Sequence, residues 1–451
     1  MKTDSMAMLT DLYELTMAAA YHKEGMFEPA TFSLFIRDYP PNRGYFINAG
    51  LDDVLSFLES FRFRQNDLDY LETTGLFTSD FLHYLHSLRF EGQVHAIPEG
   101  RLFFKDEPIL EITAPIIQGQ LVETLIINVI NLQVILATKA SRCVQAARGR
   151  GLIDFSLRRT QGADAGMGMA RAGYIGGLDG TSNVLAGKTY SIPISGTMAH
   201  SFVTSFKEEI EAFRSFARTF PHTTVLLIDT YDTLSGAKKA VQVAREMEAK
   251  GQQLRGVRLD SGDMAELSKK VRGLFDREGL DYVQIFASGA FDEFKIRDTV
   301  RKGARIDAFG VGTKMGVSAD APYTDIAYKL VKYAGHPVLK LSSGKKTLVD
   351  EKQVFRIQDK GLLLKDIIGL RHEKLDGDQL LQEVMNSGQR IHEPESLNII
   401  RDRCREELSK LDETCKVLEN PAPFKVELSQ GLEALQAEIV HEIREKELGE
   451  S

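Results

Sequence analysis

Short apolar runs that alternate with helical segments dominate the middle of this 451-residue chain. Four of these runs follow one another at similar intervals: VLLID (225–229), GVRLD (256–260), VQIFA (283–287) and DAFGV (307–311). A strand, a crossover helix and a second parallel strand together take about 30 residues. The intervals therefore predict an α/β fold in which helices join parallel strands. We expect an irregular TIM-like (β/α) barrel. A doubly wound open sheet is the alternative, since both folds bind ligands at the carboxyl ends of their strands.

The segments on either side of this region have a different pattern, with hairpin-like strands and amphipathic helices. The predicted divisions are a smaller N-terminal α/β domain at 1–150, the barrel at 151–322, a β-rich return segment that packs on the N-terminal domain at 323–393, and C-terminal helices at 394–451. Within the barrel, LIDF (152–155) and YSIPI (190–194) predict two further strands. In the return segment, SSGKK (342–346) predicts a turn.

The composition excludes several functional classes. The formal net charge is −8, from 64 acidic and 56 basic residues, which argues against a nucleic-acid-binding protein with a broad basic face. Three cysteines without a C-x-x-C pair are typical of a reducing compartment. The apolar stretch LIINVINLQVILA (125–137) is short and contains three amides, so it predicts a buried helix and not a membrane span. The N-terminus lacks the pattern of a secretory signal. We therefore expect a cytoplasmic protein with no membrane partner.

Polar residues gather just after the predicted strands, where such folds place their ligands. In GVRLDSGD (256–263), Arg258 and Asp260 are two apart on a strand, so their side chains can share a face. A guanidinium binds a carboxylate or phosphate through a planar pair of donors. Asp260 and Asp263 could accept hydrogen bonds from sugar hydroxyls or hold Mg²⁺. Alternatively, Arg258 pairs with an aspartate that caps the next helix.

Other candidate residues have structural alternatives of the same kind. Phe155, Arg158 and Arg159 follow LIDF, but adjacent arginines are also common on solvated faces. The glycine-rich AFGVGTKMG (308–316) can present backbone N–H groups to a phosphate, or it can simply form a turn. The same choice applies to GGLDGTSNVLAG (176–187).

His200 follows YSIPI and the turn SGT, and it precedes SFKEEIEAFRSF, which predicts a helix. Amide dipoles at the start of a helix favour an anion beside the ring. A neutral imidazole is a competent nucleophile near pH 7. His200 is therefore either a structural histidine or a residue that receives a phosphoryl group.

Several motifs, taken together and in this order, closely resemble those of nicotinate phosphoribosyltransferases of the type II phosphoribosyltransferase family. They are TDLYELTM, DFSLRRTQG, GYIGGLDGTSNVLAGK, PISGTMAHSF, LIDTYDT, GVRLDSGD and the late G-x-G-T. The resemblance implies an incomplete barrel beside a small α/β domain, assembled as a homodimer with the active site at the dimer contact. It also implies synthesis of nicotinate mononucleotide from nicotinate and 5-phosphoribosyl 1-diphosphate, coupled to ATP hydrolysis and accompanied by Mg²⁺. That reaction is the first step of NAD salvage from nicotinate.

The resemblance also implies a role for each matching residue. His200 would be the phosphorylated histidine. Phe155 would stack on the pyridine ring, with Tyr13 of the partner subunit on its other face. Arg258, helped by Thr197, would hold the nicotinate carboxylate, while Arg158 would face the diphosphate or the base pocket. Asp229 and Asp260 would position the ribose hydroxyls. The 5-phosphate would be held by Ser288, Gly289, Gly312 and Thr313.

Ser182 bears on the choice of substrate. The related nicotinamide enzymes carry an acidic residue at this point of the motif, which would accept from an amide and repel a carboxylate. A serine does neither, so nicotinate is favoured over nicotinamide. Ala290 departs from the polar residue expected in many relatives, and the expected substitutes are the backbone groups of Ser288 and Gly289 or the side chain of Asp292. The alternatives are a nicotinamide or quinolinate transferase, or a non-catalytic barrel-type binding protein.

Overall fold

The computed structural model describes residues 6–341 and 347–449. These residues form two compact units, one made of the chain up to Ile135 and from Tyr323 onward, the other of Leu136–Pro322. The boundary at Ile135 falls within the long helix Glu123–Ala147. The predicted turn at 342–346 lies outside the described residues.

The first unit is built from helices and three sheets. Its N-terminal part contains α1 Leu12–Lys23, β1 Pro29–Ile36, β2 Phe46–Ile47, α2 Leu51–Glu59, α3 Gln65–Thr73, α4 Ser79–Ser87, β3 Gln93–Ala96, β4 Leu102–Phe103, β5 Leu110–Pro115, α5 Ile116–Leu121 and α6 Glu123–Ala147. Helices α5 and α6 follow each other almost directly and are separated at Val122.

The second unit alternates strands with helices. Its elements are β6 Gly151–Asp154, α7 Ala163–Ile175, β7 Gly180–Thr181, α8 Val184–Tyr190, α9 His200–Thr204, α10 Glu209–Thr219, β8 Val225–Leu227, α11 Thr233–Glu248, β9 Gly256–Leu259, α12 Met264–Arg277, β10 Gln284–Ala287, α13 Glu293–Arg301, β11 Ala308–Val311 and α14 Thr313–Gly316.

The chain then returns to the first unit, mostly as strands. These elements are β12 Ile326–Tyr333, β13 His336–Pro337, β14 Lys352–Asp359, β15 Leu362–Leu370, β16 Asp378–Gln379, β17 Gln382–Asn386, β18 Gln389–Arg390, α15 Leu397–Lys410, α16 Glu413–Lys416, β19 Val426–Leu428 and α17 Gln430–Ile443.

Strands from both ends of the chain share one antiparallel sheet in the first unit. Its order is β13-β12-β1-β5-β3-β17-β18, so β1 lies between the sequence-distant β12 and the nearer β5. A four-stranded sheet, β16-β14-β15-β19, and the pair β2-β4 complete the unit. Phe32, Val94 and Ile112 project from this framework into the apolar core.

Helix α6 contains the apolar stretch 125–137. It is the one described helix long and apolar enough to cross a membrane by length and composition alone. However, 67% of its most apolar window is buried inside the protein. The prediction of a buried core helix for this stretch is therefore confirmed.

The second unit contains a six-stranded sheet in which every pairing is parallel. The strand order is β7-β6-β11-β10-β9-β8. This arrangement confirms the predicted α/β class and the predicted strands at 225–229, 256–260, 283–287 and 307–311. In the described residues β7 and β8 are the two ends of the order, and they are not paired with each other. The carboxyl ends of all six strands meet at one edge of the sheet.

The predicted strand at 190–194 is wrong. Helix α8 runs to Tyr190 after Asn183 caps it, accepting the N–H of Ala186 at 3.1 Å. Ser191 then adopts a left-handed conformation with φ 57°, which turns the chain. Ile194 makes only an isolated parallel bridge to Thr181. The apolar run thus lies beside the sheet edge as an extended segment with one point of pairing.

Candidate functional site

A cavity of about 790 Å³ lies at the carboxyl ends of the parallel strands. Residues after β6, β9, β10 and β11 line it, together with the segment 196–201 that precedes and enters α9. The predicted site residues in its wall are Phe155, Arg158, Ser182, Thr197, His200, Arg258, Asp260, Ser288, Gly289, Gly312 and Thr313. Of the candidate residues, Asp229, Asp263 and Tyr13 do not line this cavity.

Arg258 projects from β9 into the cavity wall, where its guanidinium is held in a fixed orientation. Its Nη1 donates to Thr197 Oγ1 at 2.6 Å, and Nη2 donates to the carbonyl of Met198 at 2.8 Å. Its Nε is buried without a hydrogen-bond partner among the described residues. Burial lowers the pKa of Arg258, and the nearby Asp260 and Asp229 oppose that effect. The guanidinium is a partly desolvated cation with donor capacity to spare for an anion.

Asp229 and Asp260 form a hydrogen-bonded pair of strand ends. Asp229 Oδ2 accepts from the N–H of Asp260 at 3.0 Å and from the hydroxyl of Ser261 at 2.6 Å. Asp229 Oδ1 is buried with no hydrogen-bond partner among the described residues. Ser288 donates its hydroxyl to Asp260 Oδ1. Asp229 therefore stands behind Asp260, which itself lines the cavity.

His200 is the first residue of α9, and its side chain is 43% exposed. Its Nδ1 lies 3.1 Å from Thr230 Oγ1, and its Nε2 lies 3.8 Å from Asp260 Oδ2. The contact at Nδ1 orients the ring and leaves Nε2 facing the carboxylate and the cavity. The helix predicted at SFKEEIEAFRSF (205–216) is present as α10, which begins at Glu209, whereas His200 itself starts a separate short helix, α9, that ends at Thr204.

Two glycines let backbone and ring approach closely. Gly289 has φ +102°, and a Cβ there would lie 2.2 Å from the carbonyl oxygen of Asp260. A Cβ on Gly310 would lie 2.4 Å from Cδ2 of Phe155, so the phenyl ring packs directly on the strand backbone. Gly310 was not predicted as a site residue. A glycine inside a strand run, as in DAFGV, is a known signal of such an approach.

Lys295 is a second residue that the sequence did not single out. Its Nζ donates to the carbonyl of Gly289 at 2.7 Å, and burial lowers the pKa of this amine. Lys314 pairs with Asp292 at 2.8 Å, while Asp292 caps α13 by accepting the N–H of Lys295. These contacts tie the loop of Gly289 to the start of α13.

Asp263 is a helix cap, as the structural alternative for this motif proposed. Its Oδ1 accepts from the N–H groups of Ala265 at 3.0 Å and Glu266 at 3.2 Å, at the start of α12. These hydrogen bonds lower the pKa of the Asp263 carboxyl. Asp263 does not line the cavity that holds the other site residues.

Tyr13 lies in the first unit, on α1, with 49% of its surface exposed. Burial of the remainder raises the pKa of its hydroxyl. The structure of the second unit by itself does not include this residue, so its proposed role depends on assembly.

Among the described residues, no group of three or more His, Cys, Asp or Glu side chains is arranged to hold a metal ion. Cys143, Cys404 and Cys415 are all free and buried.

The fold and the cavity define an α/β protein with arginines, a histidine and an aromatic ring in a cavity at the carboxyl ends of its parallel strands. Three family models match the chain, all described as nicotinate phosphoribosyltransferase (NAPRTase): its N-terminal domain over residues 8–131, the family itself over 151–364, and its C-terminal domain over 375–436. Together they span most of the sequence.

Individual relatives agree with the family models. A nicotinate phosphoribosyltransferase of Mycobacterium tuberculosis is 48% identical over 416 residues, covering 92% of this chain and 89% of the relative. The nicotinate phosphoribosyltransferase of Bacillus subtilis is 36% identical over 480 residues, covering 99% and 97%. The chain belongs to the nicotinate phosphoribosyltransferase family.

Solved structures support the same fold. The crystal structure of human nicotinic acid phosphoribosyltransferase superposes with a TM-score of 0.87 at 28% identity, covering 95% of this chain and 99% of that one. A nicotinate-nucleotide pyrophosphorylase from Pyrococcus furiosus superposes with a TM-score of 0.74 at 24% identity, covering 90% and 95%, which supports the fold alone.

Proposed function

We propose that this protein synthesises nicotinate mononucleotide and diphosphate from nicotinate and 5-phosphoribosyl 1-diphosphate, the first step of NAD salvage from nicotinate. The observation that carries the proposal is the single cavity shared by Phe155, Arg258 and His200. An aromatic face can stack on the flat base, and a partly desolvated guanidinium can pair with its carboxylate. An accessible imidazole beside them can receive a phosphoryl group.

The nicotinate base would lie on Phe155, whose own ring packs on Gly310. Its carboxylate would face Arg258, where Nε lacks a hydrogen-bond partner among the described residues and Thr197 holds Nη1. The partner subunit's Tyr13 would cover the other face of the ring. Ser182 in the cavity wall carries no charge that would repel a carboxylate, which favours nicotinate over nicotinamide.

The ribose and phosphate groups would occupy the opposite side of the cavity. Asp260, which lines the cavity, would accept from the ribose hydroxyls, and Asp229 would hold it in place by accepting from its N–H. Ser288, Gly289, Gly312 and Thr313 would surround the 5-phosphate, and Arg158 would neutralise the diphosphate.

A Mg²⁺ ion bound with the diphosphate would supply positive charge to stabilise the leaving group. The oxygen chemistry of the residues present fits such an ion, because Mg²⁺ takes carboxylate oxygens and the buried Oδ1 of Asp229 has no hydrogen-bond partner in the described part of the chain. Asp229 and Asp260 are the residues that would hold it.

The transfer itself needs little acid–base catalysis. The pyridine nitrogen carries a free electron pair and forms the new bond to C1 of the ribose, while the C1–oxygen bond breaks and its electron pair leaves with diphosphate. The protein's contribution is to align the base with C1 and to stabilise the charge on the leaving group. This explains why no Ser-His-Asp arrangement is required.

His200 would couple the transfer to ATP. Its Nε2 would take the terminal phosphoryl group of ATP, releasing ADP, and water would later hydrolyse the phosphohistidine. Phosphorylation would add a nearly dianionic group to Nε2, which in the unmodified protein lies 3.8 Å from Asp260 Oδ2. Such a charge would alter substrate and product affinity and so drive a reversible transfer forward.

Three features of the assembly and setting belong to the same proposal. We infer that the open parallel sheet is the incomplete barrel expected of the family, that two chains form a homodimer with shared active sites, and that the protein works in the cytoplasm. The superposition on the human structure supports the first of these.

A steady-state assay with nicotinate, nicotinamide and quinolinate, each with and without ATP, tests the proposed function. We expect product formation with nicotinate and stimulation of that reaction by ATP. Turnover restricted to nicotinamide or quinolinate, or no turnover with any base, would refute the proposal. Labelling with [γ-³²P]ATP should give acid-labile protein-bound phosphate that is lost in His200→Ala.

A further inference from the structure

Asp154 is a buried carboxylate at the end of β6 whose two oxygens are both occupied by hydrogen bonds. It is 2% exposed. Its Oδ1 accepts from the N–H of Ser156 at 2.8 Å and from the Ser156 hydroxyl at 2.5 Å. Its Oδ2 accepts from Thr181 Oγ1 at 2.7 Å. Among the described residues it makes no ion pair, so its charge is balanced by neutral donors alone.

These bonds join two strand ends that enter the cavity. Ser156 directly follows Phe155, and Leu157, Arg158 and Arg159 continue the cavity wall. On the other strand, the N–H of Ser182 donates to the carbonyl of Asp154 at 2.8 Å. Asp154 thus holds Ser156, the residue after Phe155, and Thr181, the residue before Ser182.

Thr181 extends the network to a third segment of the cavity wall. Its N–H donates to the carbonyl of Pro193 at 3.0 Å, and its own carbonyl accepts from Ser195 at 3.0 Å. Its Oγ1 also accepts from the N–H of Asn183 at 3.0 Å. The segment at Ser195 leads within two residues to Thr197, which holds Arg258.

We propose that Asp154 is a positioning residue for the base pocket. It fixes Phe155, Ser182 and, through Thr181, the approach to Thr197 in one geometry. This inference rests on the proposed function, since it assigns these three residues to the nicotinate ring and its carboxylate. Burying a carboxylate among neutral donors costs free energy. Because one oxygen accepts from Ser156 and the other from Thr181, the carboxylate joins the two strand ends. The ribose and phosphate side of the cavity, at Gly289 and Gly312, receives none of these bonds.

Kinetics of Asp154→Ala against both substrates test the proposal. We expect KM for nicotinate to rise at least about tenfold, because small displacements of positioning groups cost up to about 100-fold. KM for 5-phosphoribosyl 1-diphosphate should rise less than KM for nicotinate, because Gly289, Gly312 and Thr313 receive no bond from Asp154. The preference for nicotinate over nicotinamide should fall. A purely structural loss would instead lower the active fraction and leave both KM values unchanged.

Asp154→Asn and Thr181→Ser keep the test valid if Asp154→Ala folds poorly. An asparagine can still accept from Ser156 and can donate to the Thr181 hydroxyl, and a serine keeps that hydroxyl. In both variants KM for nicotinate should stay within about threefold of the wild-type value. Thr181→Val removes the hydroxyl at nearly the same volume and should reproduce the rise.

Asp179→Ala is the matched control. Asp179 Oδ2 accepts from the N–H of Leu152 at 2.9 Å, so it joins the same two strands away from the cavity. It should leave both KM values at the wild-type level. If wild-type protein turns over nicotinate but Asp154→Ala and Thr181→Val keep its KM, the positioning role is wrong. If the wild-type protein has no activity with nicotinate, the proposed function fails instead.

Discussion

Arg258 shows why a guanidinium and not an amine suits this position in the cavity wall. Two of its nitrogens are already committed to Thr197 and to the Met198 carbonyl, yet Nε has no partner among the described residues. A lysine has one nitrogen and could not hold the 197–198 segment while also presenting a fixed donor to a ligand. The same side chain therefore orders its own pocket and keeps capacity for a carboxylate.

Glu14 provides a test at the scale of a single ionisable group. It is fully buried on α1, and burial raises the pKa of its carboxyl from 4.5 to about 7, with Gln120 opposing that shift by donating a hydrogen bond at 2.5 Å. The folded state then holds a proton that the unfolded state releases as pH rises above 4.5. We therefore expect the contribution of Glu14 to the free energy of unfolding to fall by about 3 kcal/mol between pH 4.5 and about 7. Above that range this contribution should change no further.

Denaturation of wild type and Glu14→Gln across pH 4.5–8 measures this contribution. The variant has no proton to lose, so the difference in unfolding free energy should grow in its favour as pH rises. Glu14→Asp serves as the control, because it changes the side chain but keeps a titrating carboxyl. A difference that is constant with pH would show that the Glu14 carboxyl is already ionised at low pH.

The roles of individual aspartates could be predicted only in part from the sequence. The motifs placed Asp260 and Asp263 after one strand, but they did not show which of the two enters the cavity and which caps α12. Asp154 was read only as part of a strand. Its importance depends on Thr181, 27 residues later, which becomes visible only when β6 and β7 pair.

At the scale of elements, spacing predicted the parallel strands but not the segment before His200. Strands β8 to β11 are each followed by a helix and paired on at least one side, so local pattern and tertiary environment agree. Tyr190 to Ile194 has an equally apolar pattern, yet it meets the sheet at one bridge only. β-Propensity reflects the available neighbours, and a short run alone does not reveal whether a ladder partner exists.

Helix α13 begins at a buried charge cluster that offers a test of element stability. Glu293 is 0% exposed; it pairs with Lys139 and accepts from Arg142 Nε at 3.1 Å. Lys139 also contacts Asp320 at 2.5 Å. In Glu293→Gln the two buried cations would lose their shared carboxylate. We expect a loss of about 3–5 kcal/mol in unfolding free energy, measured by urea denaturation followed by circular dichroism.

Glu266→Gln is the matched comparison for that measurement. Glu266 lies on α12 and forms an exposed pair with Lys269 at 3.0 Å, so removing its charge should cost about 0–1 kcal/mol. If Glu293→Gln costs no more than this control, the buried cluster does not stabilise the start of α13.

At the scale of the whole molecule, long-range pairing limits what a sequence pattern can predict. Ala30 of β1 pairs with Tyr333 of β12, and no local period relates strands so far apart in the chain. The site was easier to predict, because parallel strands place their carboxyl ends together whatever the exact strand order. The position of Tyr13 was beyond both arguments, since it belongs to the first unit and its proposed role involves a second chain.

Complementation between two inactive variants tests whether active sites are shared between chains. Tyr13→Ala lacks the residue proposed to come from the partner, and His200→Ala lacks the phosphorylated histidine. In a mixed dimer, one site would combine an intact Tyr13 with an intact His200, and the other site would lack both. If chains exchange at random, half of the dimers are mixed, so activity should recover to about a quarter of the wild-type value. Refolding the two variants together and separately gives the comparison, and His200→Ala refolded with His200→Gln is the control that cannot recover. No gain over the separate variants would mean that each chain completes its own site with its own Tyr13.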